Sequence, residues 1–127
     1  MQWWGLIRTG RPNKRRDYAS VLRALASGEL RETPEGALHL PESLSSADVR
    51  QTVFVARKNG KIAAVVFRRW IGKGGNFRGH IFLPVDAVLD LVVPDYNGRP
   101  SATVGPMKVI IGRRLDRNWC LAFFDQD

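Results

Sequence analysis

Along the chain, apolar positions recur at helical spacing in one early stretch and then give way to the short, dense runs typical of covered strands. Tyr18, Val21, Leu22 and Leu25 fall on one side of a helix drawn over residues 17–27, with Asp17 as its cap, Gly28 as its stop and Arg23 on its outer face. Pro34-Glu35-Gly36 reads as a turn, Ala37–Leu40 as a short strand, and Pro41–Leu44 as the opening of a short helical turn. Gln51–Lys58 and Lys61–Trp70 are rich in β-branched and aromatic residues. Asn59-Gly60 between them accepts the positive φ angles of a type I′ turn, so the two runs should form a hairpin. Apolar residues stand on both of its faces, so part of it is expected to be covered on both sides.

Gly72–Asn76 reads as a flexible turn and Phe77–Leu83 as a third strand. Pro84 and Asp86 suit the first turn of a second helix, with Val85, Val88, Leu89 and Val92 as its stripe and Pro94 as its limit. The proline-containing stretch 94–106, with Asn97-Gly98, reads as loop. Met107–Ile111 and Asn118–Phe124 should be closing strands joined by Arg113–Arg117, and residues 3–7 could add one more. The pattern predicts an α+β fold, a mostly antiparallel sheet of five or six strands with two short helices packed on it. Residues 17–127 are expected to form one domain, preceded by a basic arm over residues 1–16.

Composition narrows the class. With 127 residues and 44% hydrophobic content, the chain has material for an ordinary core. The single cysteine, Cys120, excludes an internal disulfide, and it reads as a buried structural thiol within an apolar run. No zinc-like spacing of cysteines and histidines occurs, and neither a metal nor a cofactor is expected. No apolar run approaches the roughly 18 residues of a membrane span, and the start lacks the marks of a signal peptide, so a cytoplasmic protein without membrane contact is expected.

Charge changes the picture more. The net charge is +8, and it is unevenly placed. Residues 1–16 carry five bases and no acid, and residues 49–85 carry eight bases and no acid. Each acid in a phosphate-tracking surface would repel the nucleic-acid backbone, so an acid-free window of this length points to a polyanion. Within it, Arg68-Arg69-Trp70-Ile71-Gly72-Lys73-Gly74-Gly75-Asn76-Phe77-Arg78-Gly79-His80 interleaves cations with aromatic rings. Single strands are held by that combination, cations on phosphates and bases stacked on rings. The candidate contacts are Arg57, Lys58, Lys61, Arg68, Arg69, Trp70, Lys73, Phe77, Arg78 and His80, with Arg11, Lys14, Arg15 and Arg16 of the arm; Trp70 and Phe77 are the stacking platforms. The arm would lie along a phosphate backbone. Lys73 precedes two glycines and a strand, which is not a Walker loop. The helix over 17–27 offers only Arg23 as an obvious cation, so major-groove readout by a recognition helix is unsupported.

Residues 53 to about 91 resemble the single-strand-binding domain of the positive-cofactor-type transcriptional coactivators. The resemblance runs through Val55-Ala56-Arg57-Lys58-Asn59-Gly60-Lys61, Arg68-Arg69-Trp70, and Arg78-Gly79-His80-Ile81-Phe82-Leu83-Pro84-Val85-Asp86. It implies an antiparallel sheet presenting Arg57, Lys61, Arg68, Trp70 and Arg78 to a single strand of DNA, a role in transcription regulation, and a homodimer. Whirly proteins are similar in their strand-then-helix order. The family has glycine where this chain has His80, and its dimerising helix is longer than the one expected before Pro94.

The sequence thus predicts a non-enzymatic protein that binds DNA or RNA, single-stranded or structured, with no catalytic residue assigned. Two other classes stand beside it. One is a protein-interaction module docking on an acidic partner, marked by an exposed apolar patch near Trp3 and Trp4. The other is a small basic ribonuclease toxin using His80 with Arg78 and Lys73 for proton transfer and charge stabilisation.

Overall fold

The computed structural model describes residues 12–72, 76–84 and 92–124, with the backbone alone for 12–15. Helix α1 spans Pro12–Ser27. It opens five residues before the expected cap Asp17, with proline in its first turn, where the missing N–H costs no hydrogen bond. A six-residue 3-10 helix covers Glu42–Ala47. The strands are β1 (Ala37–His39), β2 (Thr52–Lys58), β3 (Lys61–Ile71), β4 (Phe77–Phe82), β5 (Val93–Pro94), β6 (Pro100–Val104), β7 (Met107–Asp116) and β8 (Trp119–Phe124). They form one antiparallel sheet in the order β1-β2-β3-β4-β8-β7-β6-β5.

This corrects the expected sheet of five or six strands with two helices. Among the described residues there are eight strands, one α-helix and one 3-10 helix. The prolines that suggested a loop over 94–106 have a different explanation. Pro94 pairs with Pro100 at the outer end of β5 and β6, and Pro106 lies in the β6–β7 turn. At such positions proline needs no ladder N–H. Strand β7 also runs on past Ile111 through two irregularities to Asp116, so most of the expected connection is strand. Residues 85–91, the body of the expected second helix, and the strand over 3–7 fall outside the described residues.

The β2–β3 hairpin forms as its sequence requires, with Asn59 at φ 54 and Gly60 at φ 80. Its two apolar faces are covered in two different ways. On one face, Val53, Val55, Val65 and Phe67 pack with Trp119 beneath Tyr18, Val21 and Leu25 of α1. Leu38 and Ala47 close the same cluster. On the other face, Phe54, Ala64, Val66, Phe77, Ile81, Ala122 and Phe124 meet Ala102, Val104 and Val109 of β6 and β7. Since β6 lies far from β2 in strand order, the sheet must curl for their side chains to share one core. The backbones of Gly36 and Gly105 touch where the curl brings the start of β1 to the β6–β7 turn. The curled face is the inner core, and the face under α1 is the outer one.

Arg68 projects into the inner core, although it belongs to the basic block. It is 7% exposed, and its guanidinium lies 5.0 Å from the ring centroids of both Phe54 and Phe77. Asp48, at the end of the 3-10 helix, holds it. The Asp48 carboxylate accepts from the Arg68 backbone N–H at 2.6 Å and pairs with Nη2 at 3.1 Å, and it accepts from the Arg50 N–H at 2.8 Å. Nη2 also donates to the Thr52 carbonyl. A buried pair of this kind is costly to break because the remaining charge has no solvent. Asp48→Ala should therefore cost about 3–5 kcal/mol in urea denaturation. Adding Arg68→Leu to it should recover part of that loss, because the stranded cation is gone; a further loss of stability in the double variant would contradict this account.

Candidate nucleic-acid interface

Strand β3 decides which of the expected contacts reach solvent. Up to Arg68, its side chains alternate regularly, Val65 and Phe67 to the outer face, Val66 and Arg68 to the inner. Between Arg68 and Trp70 the pairing with β4 slips: Arg68 faces Gly79, while Trp70 faces Arg78. One residue, Arg69, is extra, which makes a β-bulge. The bulge brings Trp70 to the outer face, in the same orientation as Arg78 and His80. Gly79 permits it. A Cβ there would lie 1.9 Å from the Phe67 carbonyl oxygen, an impossible approach.

Trp70 is 44% exposed, with the Arg69 guanidinium carbon 5.4 Å from its ring and His80 edge-on at 5.8 Å. Its cross-strand neighbour Arg78 is exposed and makes no ion pair or side-chain hydrogen bond with another described residue. Arg78 in turn faces Phe123 of β8, which is 39% exposed and faces Ile110 of β7. Trp70, Arg78 and Phe123 thus form a row across three adjacent strands, two rings with an arginine between them. The Phe123 ring lies against Gly112, where a Cβ would come within 2.5 Å of Cε2. The absent side chain leaves the ring its seat on the strand.

Two clefts flank this row. One, of about 470 Å³, is lined by Trp70, Ile71, Gly79 and Leu121. The other, of about 520 Å³, is lined by Asn76, Phe77, Arg99, Ile110 and Phe124. Gly72, Arg78 and Phe123 border both. The first is mainly apolar and the second carries two arginines. Such a surface can take flat apolar groups against its rings and an anion beside Arg78.

The other expected contacts divide. Phe77, expected as a stacking platform, is 2% exposed in the inner core, so Phe123 on the next strand takes the position that Phe77 was expected to fill. Arg68 is internal, as described. His80 is 4% exposed and shares a 2.8 Å hydrogen bond between Nδ1 and the Tyr18 hydroxyl. Its ring is almost wholly enclosed, and Lys73, its companion in the ribonuclease reading, lies outside the described residues. Arg57 is ion-paired with Glu32 through Nε and Nη2. Lys58 and Lys61 are exposed at the β2–β3 turn. They stand at the other end of β3 from Trp70, some nine residues or about 30 Å away, so the basic block does not make one patch. Arg16 is exposed on α1, the backbones of Lys14 and Arg15 belong to that helix, and Arg11 and Lys73 lie outside the described residues.

Sequence reasoning missed Phe123, Leu121 and Arg99. Phe123 and Phe124 are consecutive on β8, so their side chains take opposite faces. Phe124 is 2% exposed. Among the described residues, no cluster of histidine, cysteine or carboxylates has the makings of a metal site, and no helix is long and apolar enough to cross a membrane. The fold and the row together define a mostly-β domain with a curled eight-stranded sheet and an aromatic-arginine strip on its outer face. Compared with protein-family models, curated proteins and solved structures, the chain finds no match.

Burial, reinforced by the Arg69 charge, lowers the His80 pKa from 6.5 to about 4. The folded imidazole thus resists a proton that the unfolded chain accepts near pH 6.5. Its contribution to stability is complete above about pH 6.5, declines as pH falls through that window, and levels off below about 4, a loss of about 3 kcal/mol at most. Thermal melts from pH 7.5 to 4 should show this decline, and His80→Gln should flatten it. An unchanged slope in that variant would contradict the assignment.

Proposed function

We propose that the protein binds single-stranded nucleic acid across the outer face of its sheet, on the row Trp70–Arg78–Phe123. The observation that carries this reading is the row itself: two half-exposed rings on either side of an exposed arginine with no acidic partner among the described residues. Bases have two apolar faces and a charged link between them. A ring, a cation and a second ring at successive strand spacings of about 4.8 Å complement that alternation. Arg69, held against Trp70, adds charge beside the first ring. The net charge of +8 supplies long-range attraction to a polyanion. The resemblance of residues 53–91 to single-strand-binding coactivator domains supports the same reading, although Arg68 of that set is internal.

The row is too apolar to serve as a phosphate track alone, which favours unpaired bases over a duplex. A duplex buries its base faces in its own stack and offers mainly phosphates to a convex strip of this kind.

Fluorescence anisotropy tests this with single-stranded DNA, single-stranded RNA and duplex DNA at low and moderate salt. Single strands should bind better than duplex, and affinity should fall with salt. Trp70→Ala and Phe123→Ala should each weaken binding by about tenfold to a hundredfold, the value of a stacked base. Arg78→Ala should weaken it and reduce its salt dependence. Lys61→Ala, at the distant turn, should change little. Absence of binding by the wild-type protein at low salt would defeat the proposal and turn the same exposed rings into a candidate protein contact.

A further inference from the structure

Arg99 is outside the acid-free window, yet it lines the same cleft as Arg78. It precedes β6, whose Ser101 faces Ile110, the neighbour of Phe123. The cross-strand row therefore extends from Trp70 through Arg78, Phe123 and Ile110 to the start of β6, beside Arg99. Four strand spacings of about 4.8 Å make this path about 19 Å long.

The setting of Arg99 is specific. Its Nε and Nη2 both lie 2.9 Å from Asp95 Oδ2, and its backbone N–H donates to Asp95 Oδ1 at 2.8 Å. Asn97 N–H donates to the same Oδ1. The Asp95 side chain is 1% exposed, whereas that of Arg99 is 54% exposed. An anion entering the cleft meets the guanidinium and not the carboxylate behind it. The pairing fixes a side chain that would otherwise lose much rotamer freedom on binding. A guanidinium has five N–H donors, and the carboxylate occupies only part of them.

We propose that Arg99 is a second phosphate contact of this surface, so that a bound single strand runs across the sheet from Trp70, over Arg78 and Phe123, to Arg99. This rests on the nucleic-acid reading and deepens it by giving the strand a path and a length. Trp70 and Phe123 take bases, Arg78 takes the phosphate between them, and Arg99 takes a phosphate at the far end. Asp95 is a positioning residue that also tempers the charge of Arg99. The footprint is about four nucleotides, at the short end of known single-strand sites.

The test is an anisotropy titration with fluorescein-labelled oligothymidylates of increasing length, repeated over a range of salt. Affinity should rise with length up to about four nucleotides and then level off apart from the statistical gain of extra registers. Arg99→Ala should weaken binding about tenfold, the value of a charged hydrogen bond, and make the plot of log affinity against log salt shallower by about 0.7. Asp95→Asn should do the opposite, tighter binding and a steeper plot, because it removes a negative charge and keeps a side-chain acceptor for the turn. A merely structural role for the pair would make both variants weaker and leave the salt plot unchanged. That result, or wild-type affinity in Arg99→Ala alongside weakened Trp70→Ala, overturns the path and leaves the nucleic-acid reading in place. No binding by the wild-type protein overturns both.

Discussion

Between Phe67 and Trp70, strand β3 takes in one more residue than β4 supplies opposite it, and Gly79 is the reason that it can. With no Cβ at that position, the Phe67 carbonyl oxygen approaches to a point where a side chain would overlap it. The consequence reaches both faces of the sheet. Before the bulge Arg68 stays inside, between Phe54 and Phe77 and against Asp48. After it Trp70, which simple alternation would place on the same inner face, stands outside beside Arg78. A regular strand would bury the indole with the inner core or expose the guanidinium. The bulge separates an arginine and a tryptophan that are two residues apart, and so gives one a structural position and the other a place on the surface.

The outer face is therefore divided along its length. Under α1 it is a core, where Tyr18 stacks on Phe67 and Trp119 at centroid distances of 4.2 and 5.3 Å. Farther along the sheet from the Tyr18–His80 hydrogen bond stands the exposed row of Trp70, Arg78 and Phe123. His80 sits at that boundary, touching Tyr18 on one side and Trp70 on the other. The rigid core behind the row matters for binding, because rings already held in place lose little freedom when a ligand stacks on them.

Much of this could be seen in the sequence. The Asn59-Gly60 hairpin, the helical stripe of Tyr18, Val21 and Leu25, and strand β4 follow from local pattern, and the structure has them at close to the expected residues. The strip was only partly legible. Trp70 and Arg78 were recognised from their neighbourhood of cations, and both are exposed on one face. Phe77 and Arg68 belong to the same run, yet they are internal, because which face a residue takes depends on the register with β4 and on the bulge. Neither is written in the residue itself. Strands β5 and β6 were hidden by proline, which suits a strand end as well as a loop. Phe123 and Arg99 were hidden by distance: they reach the strip only because β8 pairs with β4 and the chain returns through β6 and β7.

The central claim is that ligand lies on the outer strip and not on the lysine-bearing turn at the far end of β3. Photocrosslinking tests it most directly, with a single-stranded oligonucleotide carrying 5-iodouracil and the modified residues mapped by mass spectrometry. Crosslinks concentrated at Trp70 and Phe123, lost on competition with unlabelled strand, are the predicted result. Crosslinks concentrated around residues 58–61, with the strip unmodified, would contradict the account.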